Sequence, residues 1–314
     1  MRAAAKKNYG ANAPYLHHIS CGKKMSSATS KQIHLRDGRA LGYAEFGDPA
    51  GKPVFFFHGF PGSRLQRYPD DAIAISSGAR IITIDRPGLG LSSFQPGRKL
   101  LDWPGDVVEL AYALGIDRFA AIGLSGGGPY LLACAYKIPG RLTSATVVSG
   151  LGPLDQPGVT RGMNLPGRIL LGAARSAPWW LIRFALGPAV WKVQRDPAGA
   201  SKRLPRSLPQ ADKDVFARPD VQAMDHEDLI EAYRKGVDGV SWEAKVLAHP
   251  WGFRLEDIHM KIYLWQGEAD RTVPVPMAKY MARTLPECEA RFIAGEGHML
   301  MFNYWREILT VAVS

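Results

Sequence analysis

Three residues far apart in the chain have the types that nucleophilic attack on a carbonyl requires. Ser125 lies in Gly123-Leu124-Ser125-Gly126-Gly127, Asp270 ends Gly267-Glu268-Ala269-Asp270, and His298 ends Gly295-Glu296-Gly297-His298. A serine hydroxyl is a weak nucleophile at neutral pH, so it needs a base within hydrogen-bond reach and a carboxylate to orient that base. The glycines around Ser125 have a steric reason. A serine held in a strained turn between strand and helix leaves no room for side chains two residues to either side. Such a turn lifts the hydroxyl to a helix N-terminus, where unpaired N–H groups and the helix dipole favour developing negative charge. Gly-x-Ser-x-Gly by itself is equally an ordinary glycine-rich turn, so the elements around it decide.

Those elements alternate regularly. Residues 32–35 and 41–46 flank Asp37-Gly38-Arg39 as an antiparallel hairpin. Residues 53–57 are continuously apolar, as a strand covered on both faces should be, and end at His58-Gly59-Phe60-Pro61-Gly62. A helix over 65–77 leads to a buried strand over 80–84, which ends at Asp85-Arg86-Pro87-Gly88-Leu89-Gly90. An amphipathic helix over 100–114 precedes the Ser125 turn; a helix over 128–137 and a strand over 142–148 follow it. Strand–helix alternation implies right-handed crossovers and a mostly parallel sheet flanked by helices. The loops at His58, Asp85 and Ser125 then converge on the carboxyl edge of that sheet.

After about residue 152 the apolar positions recur at helical spacing, with short helices expected over 165–174, 179–186, 225–235 and 242–247. Strand pattern returns over 260–266, followed by a helix over 276–285, a strand over 290–294 and a closing helix over 299–312. The expected organisation is therefore a basic tail over 1–30, a core formed by 31–151 and 256–314, and a helical cap inserted as 152–255. A separate C-terminal domain is the alternative to the cap.

Four elements now stand in order, each after a strand-like run: His58-Gly59-Phe60-Pro61-Gly62, the Ser125 turn, Gly267-Glu268-Ala269-Asp270 and Gly297-His298. In this the sequence resembles the α/β-hydrolase superfamily over roughly residues 32–314. The resemblance implies Ser125 as nucleophile, His298 as general base and then acid, Asp270 as the carboxylate holding the imidazole, and the backbone N–H groups of Phe60 and Gly126 as the oxyanion hole. It also implies that His58 and Asp85-Arg86 are structural, and leaves Asp155, just after the strand over 142–148, as the alternative acid.

Serine at the nucleophile position argues against the haloalkane dehalogenase and epoxide hydrolase members, which use aspartate there. Gly-Phe-Pro in the first loop departs from the Gly-Gly-Pro of proline iminopeptidases. The expectation is a serine carboxylesterase for small to medium apolar esters, with an iminopeptidase-like peptidase, a carbon–carbon bond hydrolase or a perhydrolase as alternatives. A non-catalytic small-molecule receptor on the same fold is the alternative of another class.

The rest of the composition mainly excludes. No cofactor or metal is expected, since His226, His249 and His259 lack ligand-like spacing. Three scattered cysteines, Cys21, Cys134 and Cys288, argue against a disulfide framework. Formal charge is +10, but six positive charges precede residue 32, leaving +4 for the remainder; a solvated tail, not specific nucleic-acid binding, is the expectation. Met25 is a second candidate start. No transmembrane segment and no secretory signal is read, so the expected location is cytoplasmic, as a monomer or homodimer.

Overall fold

Lys31–His34 (β1) and Ala40–Gly47 (β2) form the expected hairpin, and Lys52–Phe57 (β3) and Ala79–Ile84 (β4) follow. Phe119–Leu124 (β5), Leu142–Val148 (β6), Ile262–Gly267 (β7) and Cys288–Ile293 (β8) complete one eight-stranded sheet in the order β1-β2-β4-β3-β5-β6-β7-β8. Pairing is antiparallel from β1 to β4 and parallel from β4 to β8. In this computed structural model the structure describes residues 29–196, 199 and 208–314, so nearly all of the tail expected over 1–30 lies outside the described residues. Alternation along β3 explains why both faces of the sheet are covered. Phe55 and Phe57 belong to one buried cluster, Val54 and Phe56 to another, as the two-residue period of a strand dictates.

The first cluster is closed by Trp103–Ala113 (α2) and Gly127–Lys137 (α3), through Val107, Leu110, Leu131 and Leu132; Phe55 stacks on Phe119 within it. On the opposite face Asp71–Ser76 (α1) contributes Ala74. The helix expected to start at Leu65 starts six residues later. Ser63, Arg64 and Gln66 spend their polar groups on tertiary partners, Arg64 N–H on Asp85 and Gln66 Oε1 on Gly59 N–H. Pro69 then precedes Asp70, whose carboxylate caps the helix through Ala72 N–H.

β6 and β7 are neighbours in the sheet, yet more than a hundred residues separate them in sequence. The described part of that stretch forms Leu165–Ser176 (α4), Trp179–Arg195 (α5), Gln210–Ala217 (α6), Pro219–Ala232 (α7) and Val237–Ala248 (α8). α5 runs nine residues past the expected end because Pro188 removes one hydrogen bond without stopping it. α6 was not expected, and α7 starts at Pro219, not at residue 225, with proline in the first turn where its missing N–H costs nothing. α4 and α5 pack on α8, and α8 meets the loop after β4 closely enough that a Cβ on Gly239 would lie 2.0 Å from Gly88 O. Val275–Thr284 (α9) and Met301–Val313 (α10) finish the two faces, with Met277 and Met281 in the first cluster and Trp305, Ile308 and Leu309 in the second.

Candidate active site

Ser125 stands between β5 and α3 with φ 52°, a left-handed backbone that an L residue adopts only when its surroundings fix it. Here Ser125 N–H donates to Val148 O at 2.9 Å, and Leu151 N–H donates to Ser125 O at 2.9 Å, tying the turn to β6 and the residues after it. The glycines are needed for close approach. A Cβ on Gly127 would sit 2.0 Å from Phe57 O, and one on Gly123 2.7 Å from Gly127 O.

The structure brings all three sequence-derived residues together. His298 Nε2 is 3.0 Å from Ser125 Oγ, and His298 Nδ1 is 2.8 Å from Asp270 Oδ2. Asp270 is fixed in turn. Thr272 and Val273 N–H donate to its Oδ1 at 2.8 and 2.9 Å, and Gln266 Nε2 to its Oδ2 at 3.1 Å. Asp155, the alternative acid, is exposed and pairs with Gln156 instead. Burial disfavours charge on His298, but the adjacent Asp270 carboxylate, its hydrogen bond and the field of Asp212 outweigh that, so its pKa is raised above 6.5.

Phe60 and Gly126 adjoin. A Cβ on Gly126 would lie 3.2 Å from Phe60 N, and neither backbone N–H has an acceptor among the described residues. The loop carrying Phe60 is held from behind. Arg86 Nη1 and Nη2 donate to His58 O and Gly59 O at 2.6 and 2.7 Å, and Arg86 Nε donates to Glu243 of α8 at 2.6 Å. His58 is fully buried and donates from Nδ1 to Gly59 O at 2.8 Å; burial keeps it neutral, with the Arg86 charge pushing the same way. Asp85 accepts from Arg64 and Leu91 N–H at 2.6 and 2.8 Å, and its carboxylate fills the space where Gly90 has no side chain.

A cavity of about 160 Å³ opens onto Ser125 and His298. Its walls are mostly apolar, with Phe60, Leu124, Phe216, Met224, Met299 and Phe302, and with Gln66, Asp225 and Thr272 as polar members beside Ser125 and His298.

Two residues that position His298 carried no sequence signal. Ser149 Oγ donates to His298 O at 3.0 Å. From the other side, Asp212 of α6 accepts from Met299 N–H at 2.8 Å while its second oxygen is buried without a hydrogen-bond partner. A Cβ on Gly297 would fall 2.3 Å from Asp212 Oδ1, which is why glycine precedes the histidine. Burial pushes the Asp212 carboxyl above its ordinary range, against the N–H groups of Met299 and His298. Asp212→Asn keeps the acceptor and removes the charge, so the His298 titration midpoint followed by NMR is expected to fall. Asp212→Ala also takes the acceptor from the half-buried Met299 N–H, at about 1 kcal/mol in urea unfolding. An unchanged midpoint in Asp212→Asn would show that Asp212 acts on the loop alone.

The sequence profile of the alpha/beta hydrolase fold family matches residues 52–303. A non-heme chloroperoxidase of Streptomyces lividans is 35% identical over 137 residues, covering 43% of this chain and 49% of that protein. A proline iminopeptidase of Xylella fastidiosa is 34% identical over 139 residues, covering 41% of this chain and 38% of that protein. The chain thus spans less than half the length of these curated relatives. The structure of a thermophilic esterase from Thermogutta terrifontis superposes with a TM-score of 0.62 at 22% identity, over 90% of this chain and 96% of that one. At that identity the likeness is one of fold.

Proposed function

The chain belongs to the alpha/beta hydrolase fold family, and from that premise we propose that it is a serine hydrolase cleaving carboxylic esters of small to medium apolar substrates through an acyl-enzyme. The observation that carries this reading is the hydrogen-bonded line Ser125–His298–Asp270 at the floor of an apolar cavity. Ser125 Oγ attacks the ester carbonyl as His298 Nε2 takes its proton, and the imidazolium then gives that proton to the departing alkoxide. Water repeats the sequence on the acyl-enzyme with the same base. Asp270 holds the ring and balances the charge that forms on it. The N–H groups of Phe60 and Gly126 receive the oxyanion, a place where one donor contributes roughly 3–4 kcal/mol. Residues 152–255 act as a cap, a role supported by Phe216 of α6 and Met224 of α7 in the cavity wall.

The test is hydrolysis of p-nitrophenyl esters across an acyl-length series. A volume near 160 Å³ lies below the roughly 300–1,000 Å³ of drug-sized sites, so kcat/KM for the butyrate is expected to exceed that for the dodecanoate by about tenfold or more, a difference of about 1.4 kcal/mol in barrier. An optimum at dodecanoate would overturn the cavity assignment. Because the His298 pKa is raised and only the neutral ring accepts a proton, activity is retained at higher pH and lost as pH falls through that pKa. The acid limb of kcat/KM should have its midpoint above 6.5; a midpoint below it would contradict the role given to Asp270.

A second reading, a peptidase taking an N-terminal amine, is favoured by the carboxyl of Asp225 in the same cavity and by the iminopeptidase relative. Prolyl p-nitroanilide assayed beside the esters separates the two.

A further inference from the structure

α4 and α5 both rest on α8. Ala174 of α4 packs on Ala244 and Ala248 of α8, and Trp179 Nε1 of α5 donates to Ser241 Oγ of α8 at 2.8 Å. Their outer sides should then be polar, as on an ordinary surface helix, and they are not. At about 100° per residue, Leu165 and Ile169 stand on the side of α4 opposite Ala174, and Trp180, Phe184 and Trp191 fall within an arc of about 40° on α5. All five are more than half exposed, and Leu181 beside them is exposed too. An apolar groove of about 450 Å³ joins the two helices, with Leu165, Ile169 and Leu170 on one wall, Ile182, Ala185 and Leu186 on the other, and no polar side chain. So much apolar surface in water is a cost that a partner surface removes.

The charge around these helices is of one sign. Between Asp155 and Asp196 the chain has no acidic residue, while Arg161, Arg168, Arg175, Arg183, Lys192 and Arg195 are basic and all exposed. Arg183 pairs with Asp238, and Arg175 Nη1 donates to Leu154 O. Arg161, Arg168, Lys192 and Arg195 have no acidic partner among the described residues. The Arg195 guanidinium lies 4.5 Å from the centre of the Trp191 ring, so a cation and an exposed aromatic share one spot. A second copy of this face, or the basic residues 1–30, would bring like charge to it. A bare polyanion would leave the aromatic rings in water. An anionic bilayer surface satisfies both features, its headgroups meeting the cations and its acyl boundary the rings.

We propose that the outer face of α4 and α5 docks on an anionic lipid bilayer, with Arg168, Lys192 and Arg195 among the phosphate headgroups and Trp180, Phe184 and Trp191 at the acyl boundary. The helices lie in the surface and do not cross it, since no described helix is long and apolar enough to span a membrane. The attachment is independent of the chemistry at Ser125, whose cavity takes no lining residue from α4 or α5.

Co-sedimentation of the full chain with vesicles tests this, phosphatidylcholine alone against phosphatidylcholine mixed equally with phosphatidylglycerol. The mixed vesicles are expected to bind at least about tenfold more tightly, and less so as salt is raised. Trp180→Ser/Phe184→Ser/Trp191→Ser changes only exposed side chains, so circular dichroism and Tm should hold while affinity for the mixed vesicles falls about tenfold or more. Arg168→Ser/Lys192→Ser should lower that affinity by a similar factor. Brominated acyl chains should quench the tryptophan fluorescence of the unmodified chain more than that of the triple variant. No binding to the mixed vesicles, equal binding to both compositions, or full binding by either variant would overturn the proposal, the last by placing the attachment elsewhere, as in the basic residues 1–30. If vesicles do not bind, a dimer that the triple variant splits in ultracentrifugation would assign the face to a second copy.

Discussion

Ser125→Ala is expected to lower kcat for p-nitrophenyl butyrate by about 10⁴–10⁶-fold while leaving the fold intact. In the proposed mechanism the hydroxyl holds the acyl group, and without it His298 can only activate water from a position the cavity was not shaped for. The methyl of alanine occupies the same left-handed backbone, so any strain at φ 52° is common to both proteins. Any residual activity is expected to come from the donors proposed for the oxyanion, the N–H groups of Phe60 and Gly126. Since Ser125 and His298 are joined at 3.0 Å and act as one unit, Ser125→Ala/His298→Ala should be no worse than either single change; additive losses would mean that they act on separate steps. Activity within tenfold of the unmodified protein, with matching far-UV circular dichroism, would remove Ser125 from the chemistry.

What was legible in the sequence follows from how local each signal is. The Ser125 turn, the strand ends at His58, Asp85 and Asp270, and Gly297-His298 are written in short stretches whose glycines answer to nearby backbone, such as Gly127 against Phe57 O. The parallel sheet was legible because buried strands such as Lys52–Phe57 are apolar without interruption. Residues of the stretch between β6 and β7 were less so. Asp212, Asp228, Glu231 and Glu243 carry no local mark of burial, yet all four are buried, because their partners lie in distant loops: Met299 N–H, Ser63 with Gln66, Arg64, and Arg86 with Arg98. A carboxylate's burial depends on an arginine more than a hundred residues away, and no window of local periodicity contains that information. The same limit hid Ser149, whose hydroxyl meets a carbonyl 149 residues later.

The largest expected loss of stability is at Glu243. This carboxylate of α8 accepts from Arg86 Nε at 2.6 Å, from Tyr130 OH at 2.8 Å and from Arg98 Nη2, all in the interior. Burial alone would raise its pKa, but the two guanidiniums and their hydrogen bonds prevail and hold it below the usual carboxylate range. Glu243→Ala therefore leaves two buried arginines with no carboxylate between them, and the expected cost is about 3–5 kcal/mol in urea unfolding, a large share of the 5–15 kcal/mol typical of a folded domain. Glu243→Gln keeps the shape and some acceptors but not the charge, so it should fall between Ala and the unmodified chain. The pH dependence has a definite sign. A depressed folded-state pKa contributes stability that is present above the unfolded value of about 4.5 and is lost as pH falls through the folded value, so the gap between the unmodified protein and Glu243→Gln should be widest at neutral pH and narrow in acid. Arg86 also carries His58 O and Gly59 O, so loosening it should lower ester turnover at temperatures where Glu243→Gln is still folded. A stability change under about 0.5 kcal/mol in Glu243→Ala, the level of an ordinary surface substitution, would mean that apolar packing of α8 holds it down and the charges merely accompany it.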